Sequence, residues 1–239
     1  MSHIEKLNIT IYSCDRPVNF LKQTVDGLVA ESMPNINVQH GSDTTNNLDE
    51  LVDRDAIHRI KYLQEASNDP EKFLNEKIIH RANRNLAQAF LMPDVDGGIE
   101  NDILILEDDV VPCKNLKEQL RAIYWLIEQG GLTKYIVALY NTFQWGPGPQ
   151  GLMVYPPENF YGLQAVLYSG NIRKKCSKYH YDLCDDLPAD FVTKRIATEN
   201  RDIALVGTRF SLFQHIGSTT TGLGDFHRTI NFLDGQPKY

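Results

Sequence analysis

The chain has 239 residues, 42% of them hydrophobic and 23% charged, which is the composition of an ordinary globular protein and excludes disordered, collagen-like and coiled-coil classes. Its 31 acidic and 24 basic side chains leave a formal charge of −7, which argues against a main role in gripping a nucleic-acid backbone. No run approaches the roughly 18 apolar residues that a membrane span needs, and residues 1–8 lack the basic-then-apolar layout of a secretory signal, so the expected address is cytoplasmic. Cys14, Cys113, Cys176 and Cys184 form no CxxC pair and are expected to be free thiols.

Taken in chain order, residues 7–12 (LNITIY) are rich in β-formers and predict a first strand, broken by the loop 13–17 (SCDRP). Phe20, Leu21, Val25, Leu28 and Val29 then recur at helical spacing, and residues 36–40 predict a second strand that ends in the turn-forming 41–43. A helical stretch is expected over about 70–91. The clearest strand follows at 102–106 (DILIL), apolar without interruption as a strand covered on both faces should be. A helix over 116–129 carries Leu120, Ile123, Tyr124 and Ile127 on one face, and 135–140 predicts another strand. Residues 144–151 (QWGPGPQG) are a loop tipped by Trp145, after which 163–168 returns to the sheet. A helix at 188–198 and a strand at 203–206 complete the pattern. Alternating strands and helices without repeats or linkers predict one α/β domain over 1–239, with a mainly parallel Rossmann-like sheet flanked by helices. The run 217–222 is either a flexible flap or the start of a flexible tail over 218–239.

Chemistry concentrates at Glu107, Asp108 and Asp109, directly after the apolar strand, where open α/β sheets bind their ligands. The two-residue period of a strand puts Glu107 and Asp109 on one side and Asp108 on the other. Three adjacent acids repel one another unless water or a cation offsets the repulsion. A hard divalent ion, Mg²⁺ or Mn²⁺, uses one or two carboxylates and fills its remaining positions with phosphate and water, which points to a nucleotide diphosphate. A solvated acidic loop is the plainer alternative.

The SCDRP loop, the RANRN helix segment at 81–85, the LEDD strand end at 106–109, the GLQA segment at 162–165, Pro188-Ala189-Asp190 and the late run 211–217 (SLFQHIG) occur in an order that resembles the GT-A glycosyltransferases. Within them the chain most resembles the inverting N-acetylglucosaminyltransferases that add β1,4 branches to N-glycans. The resemblance runs from about residue 7 to 217. It implies a GT-A fold, a UDP-sugar donor such as UDP-GlcNAc, a glycan or glycoconjugate acceptor, and a Mn²⁺ or Mg²⁺ cofactor. It places Asp109 and His215 on the metal and Glu107 and Asp108 on the sugar nucleotide or a metal-bound water. His215 suits Mn²⁺ better than Mg²⁺. It makes Asp190 the general base, with Asp185 and Asp186 as competitors; capping the helix start is the other role open to Asp190.

Ser13, Arg16 and Asp43 are expected around the nucleotide, although Arg16 also suits a surface ion pair and Asp43 a turn. Asn83 and Arg84 are expected to face the same nucleotide, or simply to form a polar helix face. Trp145, Tyr155, Phe160 and Tyr161 suggest a stacking platform for sugar rings, with Gln164 beside it on the acceptor side. The membrane anchor, stem and further domains of the animal branching enzymes have no counterpart here, which leaves donor and acceptor open. Two other classes fit the same acidic strand end: a metal-dependent nucleotidyltransferase, though no Gly-rich loop with a lysine follows the first strand, and a non-catalytic sugar-nucleotide or glycan-binding module.

Overall fold

The computed structural model describes residues 3–14, 18, 20–41, 52–63, 78–141, 151–154, 156–217, 229 and 232–234. A short helix α1 (His3–Lys6) leads into β1 (Asn8–Ser13), α2 (Phe20–Ala30), β2 (Ile36–His40) and β3 (Arg59–Tyr62). Next come α3 (Ile78–Ala89), β4 (Ile103–Glu107), β5 (Val110–Pro112), α4 (Leu116–Gln129), β6 (Tyr135–Ala138) and β7 (Leu152–Val154). The described chain continues through β8 (Ala165–Tyr168), α5 (Arg173–Asp182), α6 (Ala189–Glu199), β9 (Ala204–Thr208) and β10 (Phe213–His215).

The main sheet has the order β3-β2-β1-β4-β8-β6-β9-β7. β1 runs parallel to β2 and β4, β2 to β3, and β6 to β9, whereas β8 opposes β4 and β6, and β7 opposes β9. The expected α/β architecture, a mainly parallel sheet flanked by helices, is therefore the one observed, with two opposing strands the sequence reading did not separate. No helix among the described residues is long and apolar enough to cross a membrane. None of the four cysteines is disulfide-bonded.

Alternation along β4 divides the core. Leu104 and Leu106 join Ile9, Ile11 and Val38 under α2 and α4, while Ile103 and Ile105 join Leu86 of α3, Phe90 just after it, Cys176 of α5, and Val192 and Ile196 of α6. Each such fully buried aliphatic side chain contributes about 1.5–3 kcal/mol. Two residues on from Ile105, Glu107 leaves the sheet on the α3, α5 and α6 side. β5 then turns away and pairs antiparallel with β10, with His215 opposite Val110. This small sheet returns the late part of the chain to the end of β4. Thr24 of α2 locks the turn: its hydroxyl donates to the Asp108 carbonyl at 2.9 Å and accepts the Val110 N–H at 3.2 Å. α2 approaches closely enough that a Cβ at Gly27 would lie 2.7 Å from Pro112 Cδ.

Some expectations shift. Val29 is 47% exposed and lies outside the apolar stripe of α2. α5 is absent from the hydrophobic pattern because its inward residues are Arg173, Cys176, Ser177 and His180, a helical stripe of mostly polar side chains. Phe160 is fully buried in the core and is removed from any sugar-stacking surface.

Candidate active site

At the carboxyl end of β4, ligand atoms of Glu107, Asp109 and His215 all lie within 4.8 Å of one another. Asp109 is 1% exposed, and His215 Nε2 is 3.0 Å from its Oδ2. Asp108 turns the other way and accepts the Cys14 N–H at 3.3 Å, the division that the strand period predicts. Tyr12, opposite Glu107 in register on β1, donates its hydroxyl to Glu107 Oε1 at 2.8 Å. Burial first, then the Glu107 and Asp109 charges, hold the Tyr12 phenol well above its ordinary range, so it remains a donor. Tyr140 is raised by the same three causes. The site thus has a concentrated negative field in a dry setting.

Gly217 fits this cluster in a way no other residue does. A Cβ there would stand 2.2 Å from Asp109 Oδ2 and 3.1 Å from His215 Nε2, so backbone approaches the carboxylate where a side chain would collide. Two oxygen donors and an imidazole form a set suited to Mn²⁺ and acceptable to Mg²⁺.

A second feature marks the same edge. Among the described residues, both ends of the buried Gln39 amide, Asn85 Oδ1, Asn141 Oδ1 and Gln164 Oε1 have no hydrogen-bond partner. Gln39 pairs with Tyr12 in register, and Asn85 donates to the Ser13 carbonyl at 3.0 Å. The Gln164 carbonyl accepts the Glu107 N–H at 3.0 Å, and Asn141 follows β6. Each buried polar atom left alone costs about 1–3 kcal/mol, a cost expected where a polar ligand completes the set.

The remaining predicted residues divide. The Ser13 hydroxyl is 3.2 Å from His40 Nδ1 at the end of β1, adjacent to the acidic turn. Gln164 is buried, with its side chain against Gly162, whereas Tyr161 is 39% exposed. Asp190 sits in the first turn of α6, on the Glu107 side of the sheet, and accepts the Phe191 N–H at 3.1 Å. The N-cap position is Pro188, so Asp190 does not cap the helix. Asp185 pairs with His80 on α3.

Asn83 is a correction: it is fully buried, its Nδ2 donates to the Leu187 carbonyl at 2.8 Å, and its Oδ1 lies 3.0 Å from His180 Nδ1. Arg84 likewise turns to α5, with its guanidinium 5.8 Å from the Tyr181 ring centre. Both serve helix packing. Arg16, Asp43 and Trp145, together with Tyr155, lie outside the described residues.

Sequence reasoning missed Tyr12, Gln39, Asn141 and Thr24, and reached Asn85 and Gly217 only as members of longer runs. The register of β1 against β4 would have found Tyr12. The others are small or neutral residues whose role depends on three-dimensional closeness.

No family model matches the chain, and no curated protein matches it. Solved structures with a related layout include a 4-diphosphocytidyl-2C-methyl-D-erythritol synthase from Anaerococcus prevotii, 9% identical, covering 88% of this chain and 91% of that one at a TM-score of 0.49. A protein described as a glucose-1-phosphate thymidylyltransferase from Bacillus anthracis is 8% identical over 87% and 89% of the two chains at 0.47. A cytidylyltransferase from Leptospira borgpetersenii is 13% identical over 86% and 77% at 0.41. The branching N-acetylglucosaminyltransferase resemblance gains no support from these likenesses. Their scores are too low to carry an activity to this chain.

Proposed function

We propose that this chain is a metal-dependent transferase acting on a nucleotide diphosphate sugar, and that it passes the sugar from UDP, as UDP-GlcNAc or a related donor, to a hydroxyl of a glycan acceptor. The observation that carries this reading is the Glu107, Asp109 and His215 cluster at the carboxyl end of β4. Asp109 and His215 would hold Mn²⁺ or Mg²⁺, with Glu107 beside them, and when bound the ion supplies positive charge for the departing diphosphate.

The protein's own residues do the rest. Tyr12 fixes one oxygen of Glu107, and Thr24 fixes the turn that carries Asp108 and Asp109. Ser13 is assigned to the nucleotide, as are Arg16 and Asp43 on the sequence reading alone. Gln39 and Asn85 supply amide groups at the same edge. Trp145, Tyr161 and Gln164 are assigned to the acceptor. In an inverting displacement Asp190 takes the proton of the acceptor hydroxyl as its oxygen bonds the sugar carbon and the bond from that carbon to the diphosphate oxygen breaks, releasing UDP.

A screen of UDP-sugars with a small glycan acceptor, read by product, tests the reaction class. UDP release is the expected result, and Asp190→Asn is expected to slow it about 10²–10⁴-fold while leaving UDP affinity unchanged. Unchanged turnover in that variant would remove Asp190 as the base. Release of pyrophosphate from a nucleoside triphosphate and a sugar phosphate would replace glycosyl transfer with nucleotidyl transfer at the same metal site. UDP-sugar binding without turnover would leave a binding module.

A further inference from the structure

A second group of metal-ligating side chains lies away from the acidic turn. His80, in the first turns of α3, and Cys184 and Asp185, in the turn after α5, each present one ligand atom within 4.8 Å of the other two. His80 Nδ1 contacts Asp185 Oδ1, and the imidazole is 12% exposed against 67% for the carboxylate. Cys184 is 6% exposed. The three are therefore anchored inside and open to solvent on the Asp185 side, which provides an entry path.

We propose that His80, Cys184 and Asp185 form a metal site for Zn²⁺, separate from the acidic site at the end of β4. The donors differ in kind. Sulfur, imidazole nitrogen and one carboxylate oxygen are a borderline-soft set that suits Zn²⁺, whereas a site rich in carboxylates suits Mn²⁺ or Mg²⁺. Three protein ligands leave a fourth tetrahedral position for water. Thiolate and carboxylate together balance the two charges of the ion.

The surroundings fit a clip. His80, Asn83 and Arg84 stand at i, i+3 and i+4 on α3 and so share one face. That face meets α5 and the turn that follows it: Asn83 holds the Leu187 carbonyl and His180, and Arg84 hydrogen-bonds the Cys184 sulfur. An N–H donated to a coordinated thiolate is the kind of outer contact that orients a metal ligand. The turn itself is closed by Asp186 N–H and Leu187 N–H to the Leu183 carbonyl. Leu187 is three residues before Asp190, so the ion would pin the segment that delivers Asp190 to the start of α6. This last consequence rests on the proposed role of Asp190; the metal site itself does not.

The test is Co²⁺ substitution of the full chain after chelator treatment, with zinc measured by elemental analysis. The expected spectrum has tetrahedral ligand-field bands and a thiolate-to-cobalt charge-transfer band, displaced by about one equivalent of Zn²⁺. Cys184→Ser should remove the charge-transfer band, and His80→Ala should weaken zinc binding at least ~10-fold. Asp109→Asn should leave both readouts intact, which separates this site from the acidic one. Should Cys184→Ser fail to fold, His80→Ala and Asp185→Asn give the same test. Absence of the charge-transfer band in the native chain, or its persistence in Cys184→Ser, would overturn the proposal and leave His80 and Asp185 as an ion pair.

Discussion

Two groups of buried charged and polar side chains occupy opposite ends of the same sheet, and they are built on opposite terms. At the amino end, Arg173 is fully buried, and its guanidinium donates to Asp94 Oδ1 at 2.6 Å, the Phe90 carbonyl at 3.0 Å, the Asn101 carbonyl at 3.0 Å, and the Met92 carbonyl. Asn8 donates to Asp94 Oδ1 and to the Met92 and Pro93 carbonyls, and Asp94 Oδ2 accepts the Asn101 N–H. Every charge there meets its opposite within the chain. At the carboxyl end, Glu107, Asp108 and Asp109 gather like charges, and the amides of Gln39, Asn85, Asn141 and Gln164 leave buried atoms alone among the described residues. The first arrangement serves stability and the second asks for a cationic and polar ligand. Burial alone does not separate them; the balance of charge does, an ion pair at one end and clustered carboxylates at the other.

The widest separation is expected from Asp109→Asn. Removing one of three adjacent charges keeps the size of the side chain, so denaturant stability should hold or rise, while turnover falls about 10²–10³-fold. Arg173→Met is the converse. Leaving Asp94 buried without its partner should cost about 3–5 kcal/mol in chemical denaturation, with turnover per folded molecule unchanged. Parallel loss of activity and stability in either variant would erase the distinction between the two ends.

Gly217→Ala sharpens the comparison at the active end. A methyl group 2.2 Å from Asp109 Oδ2 must displace the carboxylate, and a displacement of about 1 Å is expected to lower turnover about 10²-fold. The measurement is steady-state kinetics beside a thermal melt, where only the kinetics should move strongly.

The smallest effect concerns His180, a buried group of the structural kind. Burial lowers its pKa to about 3, so it is neutral in the folded chain, whereas the unfolded chain protonates it below its ordinary value of 6.5. The unfolded state therefore binds more protons as pH falls, and stability present above 6.5 is lost progressively down to about 3. At pH 5 the loss is about 2 kcal/mol. Denaturation at pH 7 and pH 5 measures it, and His180→Gln, which removes the titrating imidazole, should flatten that difference.

Legibility in the sequence followed chemistry. β4 and α4 stood out because their buried faces are apolar, as an unbroken run in one and at helical spacing in the other. α5 did not, since Arg173, Ser177 and His180 face inward, and Arg173 and His180 find partners far away in sequence. β3 is a four-residue edge strand with Lys61 exposed, too short and too charged to be distinguished from loop. The acidic triplet was readable because it ends the clearest strand, and His215 because of its motif, but the pairing of β5 with β10 that joins them was not. Asn83 and Arg84 look from sequence like a polar helix face turned to a ligand. Their partners on α5 and at Leu187, invisible until the helices pack, give them a structural role.

The most direct measurement is calorimetric titration of the native chain with UDP, with and without Mn²⁺, repeated on Asp109→Asn. UDP binding that requires Mn²⁺ and disappears in the variant is the predicted result. UDP binding that ignores both the ion and the substitution, or no UDP binding under any of these conditions, would contradict a sugar-nucleotide site at the end of β4.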